Sequence, residues 1–296
     1  MTSTIDTILS RDAFLLTTEL RIFWLIAFFY GVCLFLYLIY LFTKKNSIGK
    51  TAAGILWAVV VIHAALIIFR TIEAQRAPFQ TLYESLSWFA WTASFTYIYV
   101  SRKWEGIHLA GIPVTLMSMG ASLYALLSRN PAVEPLSPPL QSWWFEYHVI
   151  LAFLSYAVFV VSCSIEMVYL FINPRLKRGK SFDYGLDMNN IEVFHRTSFK
   201  LVLFGFPLLT FGVFSGAAWA NEAWGRYWSW DPKETWSLIT WTVFAMYLHA
   251  MTIPKWRGLP ASLLNILGFI CMLMTFLGVN WLSKLLGIPS LHIYAV

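Results

Sequence analysis

Long apolar stretches alternate with short polar breaks along most of the chain. Eight runs stand out, at roughly 20–42, 52–70, 83–100, 107–127, 146–172, 198–219, 234–252 and 260–282. Several approach or exceed the roughly 20 residues that a helix needs to cross the hydrocarbon core of a bilayer. The pattern predicts an all-α, polytopic membrane protein of about eight transmembrane helices, forming one membrane-embedded domain over residues 1–296. The longest polar stretch, 173–197, is too short for a soluble domain. The opening MTSTIDTILSRDAF lacks a basic segment followed by a short apolar core, so it is not read as a secretory signal. The first run is expected to span and stay.

Composition sharpens this picture. Of 296 residues 58% are hydrophobic and 12% charged, with mean hydropathy +0.64. That charged share is about half of what soluble domains carry. Lys and Arg then set the orientation. The loops after the first, third, fifth and seventh runs, with Lys200, hold 13 of the 21 basic residues, and the opposite side holds 8. The excess marks the first set as cytoplasmic, or stromal in a plastid. Both termini and the loop at 224–236 are then outside. The net charge of +6 needs no nucleic acid, because basic loops beside an anionic leaflet account for it.

Cys33, Cys163 and Cys271 each fall within a run and none forms a CxxC. Thiol–disulfide electron transfer, or covalent haem on a CxxCH of this chain, is not expected. Small apolar fillers is the simpler account.

Aromatic residues are 18% of the chain. Scattered rings such as Trp24, Trp57, Trp104 and Trp256 suit an interfacial belt. The segment 219–241 does not: Trp219, Trp224, Trp228, Trp230, Trp236 and Trp241 crowd together there, with Tyr227 among them. A belt needs one or two rings per helix end. A dense apolar shelf at the water boundary suggests a docking surface for a large flat ligand. Within it, Asp231-Pro232-Lys233-Glu234 reads as N-cap, N1, N2 and N3 of the seventh helix. Asp231 therefore also has a purely structural reading.

The histidines separate by depth. His148, in SWWFEYHVILAF, and His292, in IPSLHIYAV, are both expected at the outer face beside the aromatic shelf. Together they suit an axial pair for a porphyrin iron; singly, each is more simply a polar residue at a helix end. His249 lies 18 residues beyond Asp231, about 27 Å deeper on a continuous helix. It cannot share that iron and suits a second, inner site. His63 reads as a satisfied core histidine, His108 as a weak inner candidate, and His195 as solvated in the basic loop. Glu84 is read as orienting a ligand or partner, and Glu166 as meeting a basic loop.

WGRYWSWDPKETWSLITW resembles the WWD motif of the haem-handling protein family of cytochrome c maturation, and within it the CcsA/ResC type of the system II pathway. YESL at 83–86, SWWFEYHV, FHRTSFKLVLFGFPLLTFGVFSGAAWA and the YLH ending at His249 agree with it, so the resemblance runs from about residue 70 to the end. It implies that haem b is the ligand and substrate: taken from the inner side, moved outward, and presented to apocytochrome c for thioether formation at CxxCH. It maps the two external haem ligands onto His148 and His292, and the ligand of a transmembrane haem site onto His249. The second inner ligand would come from a ResB/CcsB-type partner. Trp224, Tyr227, Trp228, Trp230, Asp231 and Trp236 become the haem shelf. The resemblance also implies a place in a membrane cytochrome c synthase, with a thiol-reducing thioredoxin-like protein as a further partner. EAQRAPFQT, before YESL, departs from the pattern of close plastid members. That favours a bacterial cytoplasmic membrane over a thylakoid. The rival readings are a haem transporter that feeds a chaperone, and a transporter of another aromatic solute.

Overall fold

Each apolar run becomes a helix, because in lipid only a helix satisfies its own backbone hydrogen bonds. The computed structural model describes residues 2–102, 107–128, 130–133, 137–177 and 188–287, and it is all-helical over them. In chain order the helices are α1 (Thr2–Thr43), α2 (Asn46–Ala74), α3 (Leu82–Ser101), α4 (Gly111–Ser128, entered through a 3₁₀ turn at Ile107–Ala110), α5 (Trp143–Lys177), α6 (Met188–Trp224), α7 (Pro232–Thr252) and α8 (Leu259–Leu273). A π-helical turn, Met274–Gly278, then leads into α9 (Val279–Leu286).

Six of these segments are long and apolar enough to cross a membrane. The other two expected spans coincide with α3 and α7, whose Trp, Tyr, Ser and Thr content lowers their hydropathy. Both can carry polar groups because they pack inside the bundle. α3 lies against α2, α4 and α5, and α7 against α6 and α8.

The helices form two sets. α1 packs on α2 and α4, and α3 on α4; α5 packs along α6, and α7 on α8; α3 against α5 joins the sets. Several polar groups inside the bundle meet partners, as a low-dielectric interior favours. His63, fully buried, lies between Tyr30 Oη (3.0 Å from Nδ1) and Ser87 Oγ (2.9 Å from Nε2), which makes it a satisfied core histidine. Arg70 reaches Glu19 at 2.9 Å and Glu84 at 3.2 Å, and Arg76 meets Glu84 at 2.9 Å. The three cysteines are buried and unpaired.

The stretch 173–197 departs from expectation. α5 continues to Lys177 and α6 begins at Met188, so much of this polar stretch is helix. His195 is not solvated. It is buried, with Nδ1 2.9 Å from Glu166 Oε1, and its ring stacks on Tyr169 at 4.5 Å. Glu166 in turn accepts the Ser262 hydroxyl at 2.6 Å rather than meeting a basic loop. The charges of this segment sit on the other side of the helix, where Arg196 and Glu192 pair in the open.

Candidate functional site

α7 starts where the sequence predicts. Asp231 caps the helix, accepting from the Lys233 backbone N–H at 2.9 Å, and Pro232 occupies the first turn. The Glu234 carboxylate reaches back to the N–H groups of Asp231 (3.1 Å) and Ser229 (2.8 Å), closing a capping box. This clamp ties the aromatic loop to the helix end. Two residues in the loop are left-handed: Gly225, for which this costs little, and Trp230 at φ +60°, a conformation that costs a side chain of this size of order 1–3 kcal/mol. Such strain persists only where surrounding contacts impose it. Trp228 meets Trp230 edge-on at 5.8 Å.

Beneath the loop lies a cavity of about 180 Å³. Its walls come from the N-terminal end of α3 with Phe79 and Gln80, the first turns of α5, the C-terminal third of α6, Lys233, Glu234 and Ser237 of α7, and Thr275 and Phe276 of the π turn. Tyr227 and Trp228 form its roof. Small-molecule sites usually enclose roughly 300–1,000 Å³. A macrocycle would therefore enter by its edge and remain partly outside, against the exposed Tyr227 and Trp230. The π turn directs Phe276 inward, while Thr275 bonds Thr240 at 3.0 Å. π-helical turns of this kind are frequent at functional sites.

His148 lines the cavity from the second turn of α5. Its Nδ1 donates to the Gly212 carbonyl at 2.7 Å, and its ring stacks on Trp219 at 6.1 Å with an interplanar angle of 16°. With the proton on Nδ1, the lone pair resides on Nε2. A carbonyl on one ring nitrogen is the usual means of orienting a metal-ligating histidine. Trp219 is itself fixed, donating to the Pro139 carbonyl at 2.7 Å. Gly216 lets α6 come this close: a Cβ there would lie 2.7 Å from His148 Nδ1.

Of the residues the sequence singles out, His148, Tyr227 and Trp228 meet at this cavity, with Trp230 on its rim beside Trp228. Trp224 packs on Trp219 at 4.9 Å, and neither it nor Trp236 lines the cavity. Asp231 serves the helix cap. His249 is exposed on α7, far from the cavity along the helix. His292 lies outside the described residues. Glu84 closes a capping box with Thr81 and accepts from Arg70, Arg76 and the Gln80 N–H, so it positions the 79–81 strip of the cavity wall. The sequence names Trp219 only as one ring of the crowded segment and Lys233 only as part of the helix start, and it gives no role to Gln80; the structure puts all three in the cavity wall. The capping box does place Lys233 one turn before Ser237, on a shared helix face. No comparable signal marks Gln80.

A second polar cluster occupies the opposite end of the bundle. Besides the Glu166–His195 pair, Ser162 and Ser198 bond at 2.7 Å and Asn265 Nδ2 donates to Ser162 at 2.8 Å. Among the described residues no group of three metal-ligating side chains converges.

Comparisons with known proteins agree with this arrangement. The family described as cytochrome C assembly protein matches residues 79–286, the stretch that holds the whole cavity wall. Curated relatives named cytochrome c biogenesis protein CcsA are similar over most of the chain. The one from Guillardia theta is 38% identical over 243 residues, 76% of this chain and 79% of the relative. That from Gloeothece citriformis is 36% identical, over 78% and 83%, and that from Prochlorococcus marinus 34%, over 82% and 84%. Among solved structures, the cytochrome c haem lyase CcmF superposes with a TM-score of 0.71 at 16% identity, covering 90% of this chain. The chain spans 46% of the length of that structure, and at this identity the likeness shows the shared fold alone. With the WWD segment, the capping box and the cavity falling inside the matched region, the chain belongs to the cytochrome c assembly protein family and takes part in cytochrome c maturation.

Proposed function

We propose that this chain presents haem at the outer face of the membrane for covalent attachment to the CxxCH motif of apocytochrome c, acting with a ResB/CcsB-type partner. The observation that carries the reading is His148: held by a backbone carbonyl, backed by Trp219, and set in the wall of a cavity roofed by Tyr227 and Trp228. In this reading His148 and His292 bind the haem iron from its two faces, and the loop rings hold the porphyrin. Bis-histidine ligation shields the iron until the substrate's own CxxCH histidine replaces one ligand. The chain contributes positioning, since the thiol–vinyl chemistry belongs to haem and substrate. His249, exposed on α7, fits an inner site completed by a partner's side chain. A thioredoxin-like protein would keep the substrate thiols reduced. We assign the chain to the bacterial cytoplasmic membrane, with the thylakoid membrane as the alternative.

The test is spectroscopic and functional. His148→Ala and His292→Ala should each alter the Soret band of the purified complex and lower the yield of cytochrome c. Wild-type spectra and yields in both variants would refute the outer-site assignment. Purified complex that loads haem but never attaches it to a CxxCH peptide would favour a transporter feeding a chaperone.

A further inference from the structure

The cavity that holds His148 also contains a lysine. Lys233 lines it from the first turn of α7 and is half-buried. The carboxylates nearest to it in sequence are committed elsewhere. Glu234 accepts from the backbone of Ser229 and Asp231, and Asp231 caps α7 through its own backbone bonds. Asp231 attracts the Lys233 ammonium across space. A helix N-terminus is itself an electropositive site, and a lysine there adds to the field rather than cancelling it. α7 thus places the Lys233 ammonium in a cavity whose one carboxylate wall residue among the described residues, Glu234, is already held by backbone N–H groups.

The opposite wall carries an unsatisfied group. Gln80 is 4% exposed, and among the described residues neither its side-chain amide nitrogen nor its oxygen has a hydrogen-bond partner. Its backbone is fixed, because the N–H donates to Glu84 at 3.0 Å and Glu84 is held by Arg70 and Arg76. A buried amide with both ends open is rare in a folded protein and calls for a partner.

Lysine and an amide NH₂ are donors suited to carboxylate oxygens. We infer that Lys233 and Gln80 recognise the carboxylates at the edge of the porphyrin, so that the cavity selects a dicarboxylate macrocycle over a neutral one. The inference rests on the reading of the cavity as a haem site and adds to it a polarity. The carboxylate edge faces α7 and the α3 wall, which turns the vinyl edge toward the exposed loop, where a substrate's thiols arrive. Orientation of this kind is what two regiospecific thioether bonds require.

The experiment titrates the purified full-length chain in detergent with iron protoporphyrin IX and with its dimethyl ester, following the Soret band. The wild type should bind the dicarboxylate roughly tenfold or more tightly than the ester, as expected for one charge-assisted contact. Lys233→Met and Gln80→Leu should each shrink that preference by weakening the dicarboxylate while leaving the ester unchanged. Lys233→Arg should keep it, which separates charge from packing. Equal binding of both porphyrins by the wild type, or an undiminished preference in Lys233→Met, overturns the inference and leaves the haem site standing. If neither porphyrin shifts the spectrum of the wild type, the haem reading fails and this inference with it.

Discussion

A single methyl group on α6 should disable the cavity without unfolding the chain. In Gly216→Ala the new Cβ would lie 2.7 Å from His148 Nδ1 and 2.9 Å from Cε1. To restore an ordinary contact of 3.4 Å the ring must retreat by about 0.7 Å. The ring cannot retreat and also keep its 2.7 Å bond to the Gly212 carbonyl, one turn earlier on the same helix. Losing that bond costs about 0.5–1.5 kcal/mol, while exchanging glycine for alanine within a helix returns about 1 kcal/mol. Stability should therefore change by less than about 1 kcal/mol. Function should not escape so lightly, because loss of the partner that orients a metal-binding histidine typically lowers affinity by roughly 10–100-fold. Gly212→Ala is the matched control. Its Cβ meets the backbone of Ala152 at 3.6 Å, an ordinary contact, and the carbonyl that holds His148 remains. The assay compares both variants by haem titration and by cytochrome c yield, at equal protein level and equal melting temperature. Gly216→Ala should lose haem affinity and Gly212→Ala should retain it. Indistinguishable titrations for the two would show that the orientation of His148 does not matter for ligation, and the site as drawn would fall.

Three further outcomes follow from buried polar groups. Arg70→Met leaves Glu19, 2% exposed, without its cation and with only the Tyr83 hydroxyl among the described residues, while Glu84 keeps Arg76; it should cost about 3–5 kcal/mol, read as a lower melting temperature in detergent. Glu166→Gln removes the charged partner of His195 and should cost about 1.5–3 kcal/mol, while the Soret band of the outer site stays unchanged because the cluster lies at the other end of the bundle. Ser87→Ala leaves His63 Nε2 buried without its 2.9 Å partner and should cost about 1–3 kcal/mol in the same melting assay.

What was legible in the sequence was whatever a single helix decides. DPKE spells the capping box, so the start of α7 and the place of the aromatic loop could be read directly. Contacts between helices could not. Trp219 faces His148 only because α5 and α6 pack in one particular register. Lys233, Glu234 and Ser237 line the cavity from α7 and Trp236 does not, a choice set by how α7 is rotated in the bundle rather than by its own sequence. His195 was misread for a different reason. Glu192, Arg196 and Lys200 made its surroundings look like a solvated loop, yet Ile191, Phe194, His195 and Ser198 are all buried and recur at i, i+3, i+4 and i+7. That stripe is visible in the sequence once the charges are assigned to the opposite face.

The bundle between its two ends bears on how haem would reach the outer cavity. Phe159 and Phe244 stack at 3.9 Å, both fully buried, about 16 Å beyond His148 along α5. Neighbouring helices close on them without slack. A Cβ at Gly205 would come within 2.8 Å of Phe159, and one at Gly268 within 3.0 Å of Phe244. A flat macrocycle has no room to pass through this layer. On the outside of α7, by contrast, Leu238, Thr242, Met246 and His249 form a continuous exposed stripe from the aromatic end toward the inner end. On the proposed function, a haem held at His249 would travel along this exposed stripe, between α7 and the proposed partner, and not through the core. Two substitutions separate the routes. Phe159→Ala should cost about 3–5 kcal/mol by emptying the plug, yet should not speed the filling of the outer site at a temperature where the variant stays folded. Met246→Trp, one turn outward of His249, should slow that filling with little change in stability. Faster loading in Phe159→Ala, with normal loading in Met246→Trp, would place the path inside the bundle and refute the outer route.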